Sequence, residues 1–193
     1  MALIDLIQQQ LDDSTISQLS QQLGADPNTT REAIPAALSA VLGGLSKNAQ
    51  QPGGDQALAG VLGGHDGSLL DSLGSLLGNA GALQGDGGGI LGQIFGHHQP
   101  AVQSQVSQST GLDAGQAGKL LMLLAPIVLG YLSRQHQQGA GGGLMDILNG
   151  ERQQTAQAHP QHAGILDQLL DRNHDGSILD DVAGLAGGFL GGR

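Results

Sequence analysis

One stretch near the carboxy terminus carries residue types at a spacing that suits a hard divalent cation: Asp171-Arg172-Asn173-His174-Asp175-Gly176-Ser177-Ile178. In an EF-hand loop, oxygen-bearing side chains at positions one, three and five turn inward and glycine at six allows a sharp bend. Position seven then offers its carbonyl, and an apolar residue at eight anchors the loop. Asp171, Asn173, Asp175 and the Ser177 carbonyl thus begin to supply the roughly six to eight oxygens that Ca2+ takes. The second half departs from that pattern. Position twelve, ordinarily a bidentate glutamate, is Val182, and the acids stand at Asp180 and Asp181 instead. Either the loop closes one residue early through Asp181, with Asp180 acting through water, or the site is incomplete and weak. Without the long glutamate, the expected affinity is about 10⁻⁴ to 10⁻³ M, the range of extracellular modules.

The chain contains its own comparison. His65-Asp66-Gly67-Ser68-Leu69-Leu70-Asp71 repeats His174-Asp175-Gly176-Ser177-Ile178-Leu179-Asp180 at a distance of 109 residues, but Leu62 and Gly64 stand where Asp171 and Asn173 stand. The upstream copy reads as a plain turn in which Asp66 or Ser68 caps the next helix. A polar turn with an N-cap is also the simpler reading of the downstream copy. Three alternating oxygen donors ahead of the glycine favour the metal.

Other chemistry finds less support. His97-His98 and the pair His159 and His162 lack a third ligand beside them, and a tetrahedral zinc site needs three or four donors. There is no Gly-x-Ser-x-Gly elbow. Gly87-Gly88-Gly89 has neither the lysine nor the preceding strand of a phosphate loop and reads as a linker. With 17 acids against 7 bases and a net charge of -10, the chain lacks the clustered Lys and Arg that phosphate neutralisation requires, so nucleic acid is not an expected partner. The absence of cysteine excludes disulfides and thiolate chemistry. Met1 to Leu11 has no basic region and carries Asp5 within its apolar stretch, so it does not read as a secretory signal and a cytoplasmic location is expected.

The elements that must carry such a loop are helical. Leu, Ala and Gln dominate, period-two runs are missing, and Phe95, Phe189 and Tyr131 are the only aromatic residues. Ala2 to Leu11 places Leu3, Ile4, Leu6, Ile7 and Leu11 on one helical face. A second helix runs from about Ser14 to Leu23 and stops at Gly24. Asp26 caps a third that starts with Pro27 and reaches about Ser46, with a kink or break expected at Pro35. The same construction returns 87 residues on. Gly24 matches Gly111, Asp26 matches Asp113, and Val41-Leu42-Gly43 matches Val128-Leu129-Gly130, whereas Pro35 and Pro126 stand 91 apart.

The longest apolar run, Leu120 to Leu132, would rise roughly 20 Å as a helix against a hydrocarbon core of about 30 Å. It therefore reads as a buried core helix and not as a membrane span. Short apolar words between the two copies, Gly60-Val61-Leu62, Ser68 to Leu77 and Ile90 to Phe95, hold a helical shape only if docked on longer helices. Glu151 to His162 is polar, contains Pro160 and has no periodicity. The expected organisation is therefore an all-α, irregular helical bundle over residues 1–138. Within it a pseudo-repeat relates 16–54 to 102–141, with a Gly-rich connector over 55–99. A linker over 139–163 and an EF-hand-like helix-loop-helix over 164–193 complete the chain.

The starts Leu23-Gly24-Ala25-Asp26 and Gly111-Leu112-Asp113, the word Ala33-Ile34-Pro35-Ala36-Ala37-Leu38, the word Gly88-Gly89-Ile90-Leu91-Gly92-Gln93-Ile94-Phe95-Gly96 and the stretch Asp171 to Gly188 together resemble the YidB-like bacterial family. The likeness runs over nearly the whole chain. It implies a helical fold in a bacterial protein of unassigned function and supplies no active-site residues. The expected role is non-enzymatic, with a C-terminal calcium loop of mainly structural use, because Met1, Met122 and Met145 are too few for the Met-rich groove of a sensor. The alternative is a self-assembly or protein-interaction module built on Gly- and Ala-faced helices.

Overall fold

The computed structural model describes residues 12–51, 53–63, 80–138 and 144–158. Among them there is no strand. In chain order the helices are α1 (Asp13–Leu23), α2 (Pro27–Ala49), α3 (Gly54–Gly63), α4 (Ala80–Phe95), α5 (Gln99–Thr110), α6 (Ala114–Gln137) and α7 (Leu144–Ala158), with a 3-10 turn, Gly96–His98, joining α4 to α5. The expected helix over Ala2 to Leu11 and the expected element over 164–193 lie outside the described residues.

Local chemistry sets the starts and stops. Asp12 accepts from the Thr15 N–H at 2.8 Å, and Asp26 accepts from those of Asn28 and Thr29 at 3.0 and 2.9 Å, so free donors of the first turns are satisfied. Bonds from Thr15 hold the Asp12 carboxyl below the usual carboxylate range, and bonds from Thr29 do the same for Asp26. Asp113 and Gln116 form a capping box, each side chain accepting from the other's backbone N–H, at 2.8 and 3.0 Å. Gly24 and Gly111 end α1 and α5 at φ 72° and 77°, a left-handed conformation that strains residues with a Cβ. Their N–H groups donate to the carbonyls of Ser20 and Ser107.

Pro35 and Pro126 lie inside α2 and α6, each of which continues through its proline as one helix. Pro35 therefore does not break α2, one of the two outcomes its sequence allowed. Both helices are central. Ala33 to Ser46 of α2 and Leu123 to Ser133 of α6 are buried without interruption, the signature of a helix covered on all sides. α6 has 24 residues and is long and apolar enough to span a bilayer, which the thirteen-residue apolar run did not suggest. Its most apolar stretch is 78% buried inside the protein, which makes it the core helix the sequence led one to expect.

Within this core the hydroxyls of Ser39 and Ser46 are buried and have no hydrogen-bond partner among the described residues. A buried unsatisfied hydroxyl costs stability, and alanine is the better helix former. Ser39→Ala is therefore expected to raise stability by about 1 kcal/mol, read as a higher urea midpoint with an unchanged slope. A lower midpoint would mean that the hydroxyl finds a partner in solution.

Two segments differ from their sequence reading. Gly87-Gly88-Gly89, expected as a linker, lies inside α4, and Glu151 to Ala158, expected as aperiodic polar chain, belongs to α7. The reasons are tertiary. A Cβ on Gly87 would fall on the Met122 carbonyl oxygen and 2.7 Å from its carbon, so α4 crosses α6 with backbone against backbone. Met122 is four residues before Pro126, which has no N–H to give that carbonyl. The Gly87 backbone covers the carbonyl so freed, a geometry suited to a Cα–H···O contact. α4 and α7 hold by docking, as short helices must.

Candidate functional site

The proposed calcium ligands Asp171, Asn173, Asp175, Ser177, Asp180 and Asp181 all lie outside the described residues, as do His65 to Asp71, His159 and His162. Leu62, the residue corresponding to Asp171 in the upstream copy, is buried on α3. His97 and His98 are exposed on the 3-10 turn. Among the described residues no three His, Cys, Asp or Glu side chains gather where a metal could bind.

The described residues do bring together a polar cluster that spacing did not reveal. Tyr131 on α6 is 3% exposed and Glu151 on α7 is 6% exposed. The Tyr131 hydroxyl donates to Glu151 Oε1 at 2.8 Å and stands 3.0 Å from Gln135 Nε2, which donates to it. Tyr131 and Gln135 are one helical turn apart and so share a face of α6. α7 reaches that face because Leu148, fully buried three residues before Glu151, seats its first turns in the core. Burial first, and then the bond to Glu151, push the Tyr131 phenol far above its ordinary range.

This chemistry is that of a latch. A phenol so held stays protonated and donates, which makes it neither a base nor a nucleophile at neutral pH. Neither group opens to solvent, where a substrate would meet it. A buried carboxyl is costly unless it is bonded, so the pair selects one register of α7 on α6. The signal in the sequence was slender: a lone tyrosine in an otherwise aliphatic run and a lone glutamate in a polar stretch twenty residues on. Nothing local joins them.

A family model described as a bacterial protein of unknown function (DUF937) matches residues 5–135 and 138–191. No curated protein and no solved structure matches the chain.

Proposed function

Because the chain belongs to this bacterial family of unknown function, we propose its role from its own residues: a non-enzymatic helical scaffold whose carboxy-terminal loop binds Ca2+. The observation that carries the reading is the alternation Asp171, Asn173, Asp175 ahead of Gly176, with the Ser177 carbonyl as a fourth oxygen. Asp181 closes the loop, directly or with Asp180 acting through water. The ion's use is structural: it offsets the mutual repulsion of carboxylates crowded into a few residues and fixes the two apolar flanks, Ile165 to Leu170 and Ile178 to Leu185, in one relation. Affinity in the millimolar range suits a calcium-rich compartment, whereas cytosolic sites bind far more tightly. A cytoplasmic location would therefore leave the loop largely empty.

Ca2+ at ten times its Kd is expected to add about 1.4 kcal/mol, or roughly 3 to 6 °C in Tm for a chain of this length. Asp171→Ala with Asp175→Ala should abolish the rise. An unchanged Tm together with no calorimetric heat at millimolar Ca2+ would reject the reading. A second reading, self-assembly, is favoured by one face of α4, where a Cβ on Gly88, Gly89 or Gly92 would meet nothing within 4 Å among the described residues. Light scattering during the same titration separates the two. A monomer throughout, with the Tm rise intact, leaves only the calcium scaffold.

A further inference from the structure

Two seats in this fold are built alike. α4 packs chiefly along α6 and also touches α2, whereas α7 packs chiefly along α2 and also touches α6. The end of α4 rests on Gly44, which lies against the Ile94 and Phe95 side chains, and is held by Asn48, whose Nδ2 donates to the Gln93 and Ile94 carbonyls at 3.0 and 2.8 Å. α7 rests on Tyr131 through Glu151, with Gln135 donating to the same hydroxyl. Tyr131 stands 87 residues after Gly44, and Gln135 stands 87 after Asn48. That offset also relates the caps Asp26 and Asp113 and the left-handed glycines Gly24 and Gly111. The seat of α7 is thus the counterpart of the seat of α4.

Chain order points to a different occupant for that counterpart. α4 runs through the 3-10 turn directly into α5 and α6. The segment standing in the same way before α1 and α2 is residues 2–11. Its Leu3, Ile4 and Ile7 stand 87 residues before Ile90, Leu91 and Ile94, the buried residues with which α4 docks. α7 opens with nearly the same word: Leu144-Met145-Asp146-Ile147-Leu148 follows Leu3-Ile4-Asp5-Leu6-Ile7 position by position, apolar for apolar and Asp for Asp. In that alignment Gln10 falls on Glu151.

We infer that the seat formed by α2 and the Tyr131 end of α6 takes either α7 or residues 2–11 of the same chain, and that the two segments compete for it. Both have the apolar spacing the seat selects. Gln10 offers an amide oxygen to the Tyr131 hydroxyl where α7 offers the Glu151 carboxyl, so the second occupant buries no charge-bearing group. Residues 2–11 lead straight into the Asp12 cap of α1, which itself packs on α2. That short tether gives them a high effective concentration at the seat and makes the same chain the favoured source. Displacement of α7 would release residues 144–158, and with them the carboxy-terminal segment, from the bundle.

Hydrogen exchange on the full chain tests the competition. Leu3→Asp with Ile7→Asp removes one competitor, and exchange of the α7 amides is expected to slow by about threefold or more. Unchanged or faster α7 exchange would overturn the inference. Conversely, Leu148→Asp should expose α7 and protect residues 3–11, and adding the first two substitutions should erase that protection. Retained protection in α6 verifies that this variant folds; should it not fold, the Leu3 and Ile7 pair decides alone. Protection of residues 3–11 that grows with protein concentration would show a second copy as the occupant and would overturn the same-chain assignment.

Discussion

Gly87→Val is expected to destabilise the protein by about 3 kcal/mol or more, although it places a more restricted residue in a helix that glycine weakens. The added carbon would fall on the Met122 carbonyl, within contact of backbone that cannot rotate away. α4 must therefore lift from α6, which loosens Leu91, Ile94 and Phe95 from the core. Against a total stability of about 5 to 15 kcal/mol, that is a large fraction. Gly89 and Gly92 are the internal controls, because a Cβ at either meets nothing within 4 Å among the described residues. Gly89→Ala and Gly92→Ala are each expected to stabilise α4 by about 0.5 to 1 kcal/mol through helix propensity alone. Urea unfolding followed by far-ultraviolet dichroism reads all three. If Gly87→Val costs no more than valine at Gly89, the backbone crossing is not a feature of the protein in solution.

Those glycines also mark the limit of what spacing could reveal. Helix caps are local events: an Asp side chain accepts from amides two or three residues away, and a glycine turns left-handed where the next residues require it. Asp26, Asp113, Gly24 and Gly111 could therefore be read from the chain with their roles, and the two central helices followed from them, whereas the cap on α1, Asp12, was not singled out by its spacing. Gly87 to Gly89 could not, because every local term argues against a helix there. What favours one is the bare carbonyl that Pro126 leaves on Met122, 35 residues away. Glu151 to Ala158 has the same history. Its polar composition argues for open chain, and its helix depends on Leu148 in the core and on Tyr131 across it. The proposed calcium loop is the reverse case: it rests on spacing alone, on alternating oxygen donors, a glycine and an apolar anchor. Its proposed ligands are a pattern in the chain, whereas the Tyr131–Glu151 latch is a meeting of helices.

That meeting should be costly to undo. Tyr131→Phe keeps the ring and its packing but leaves the Glu151 carboxyl, buried on α7, without the phenol donor 2.8 Å away. The expected loss is about 1 to 3 kcal/mol, the cost of removing a bond made to a buried carboxyl. Glu151→Leu removes the acceptor as well. Combined with Tyr131→Phe, it should cost clearly less than the sum of the two single changes, and additive losses would mean that the two groups do not act as a pair. Tyr131 is the only tyrosine, so the phenolate absorbance of the whole protein reports on it alone. Its folded-state pKa is raised above the unfolded value of about 10, so its contribution is fully present below that pH and drains away as pH rises beyond it. Native protein should therefore ionise well above the pH at which urea-unfolded protein does, and Tyr131→Phe should flatten the alkaline fall in stability. Coincident titrations of the native and unfolded chains would mean that the phenol is open to water and that the latch does not hold α7.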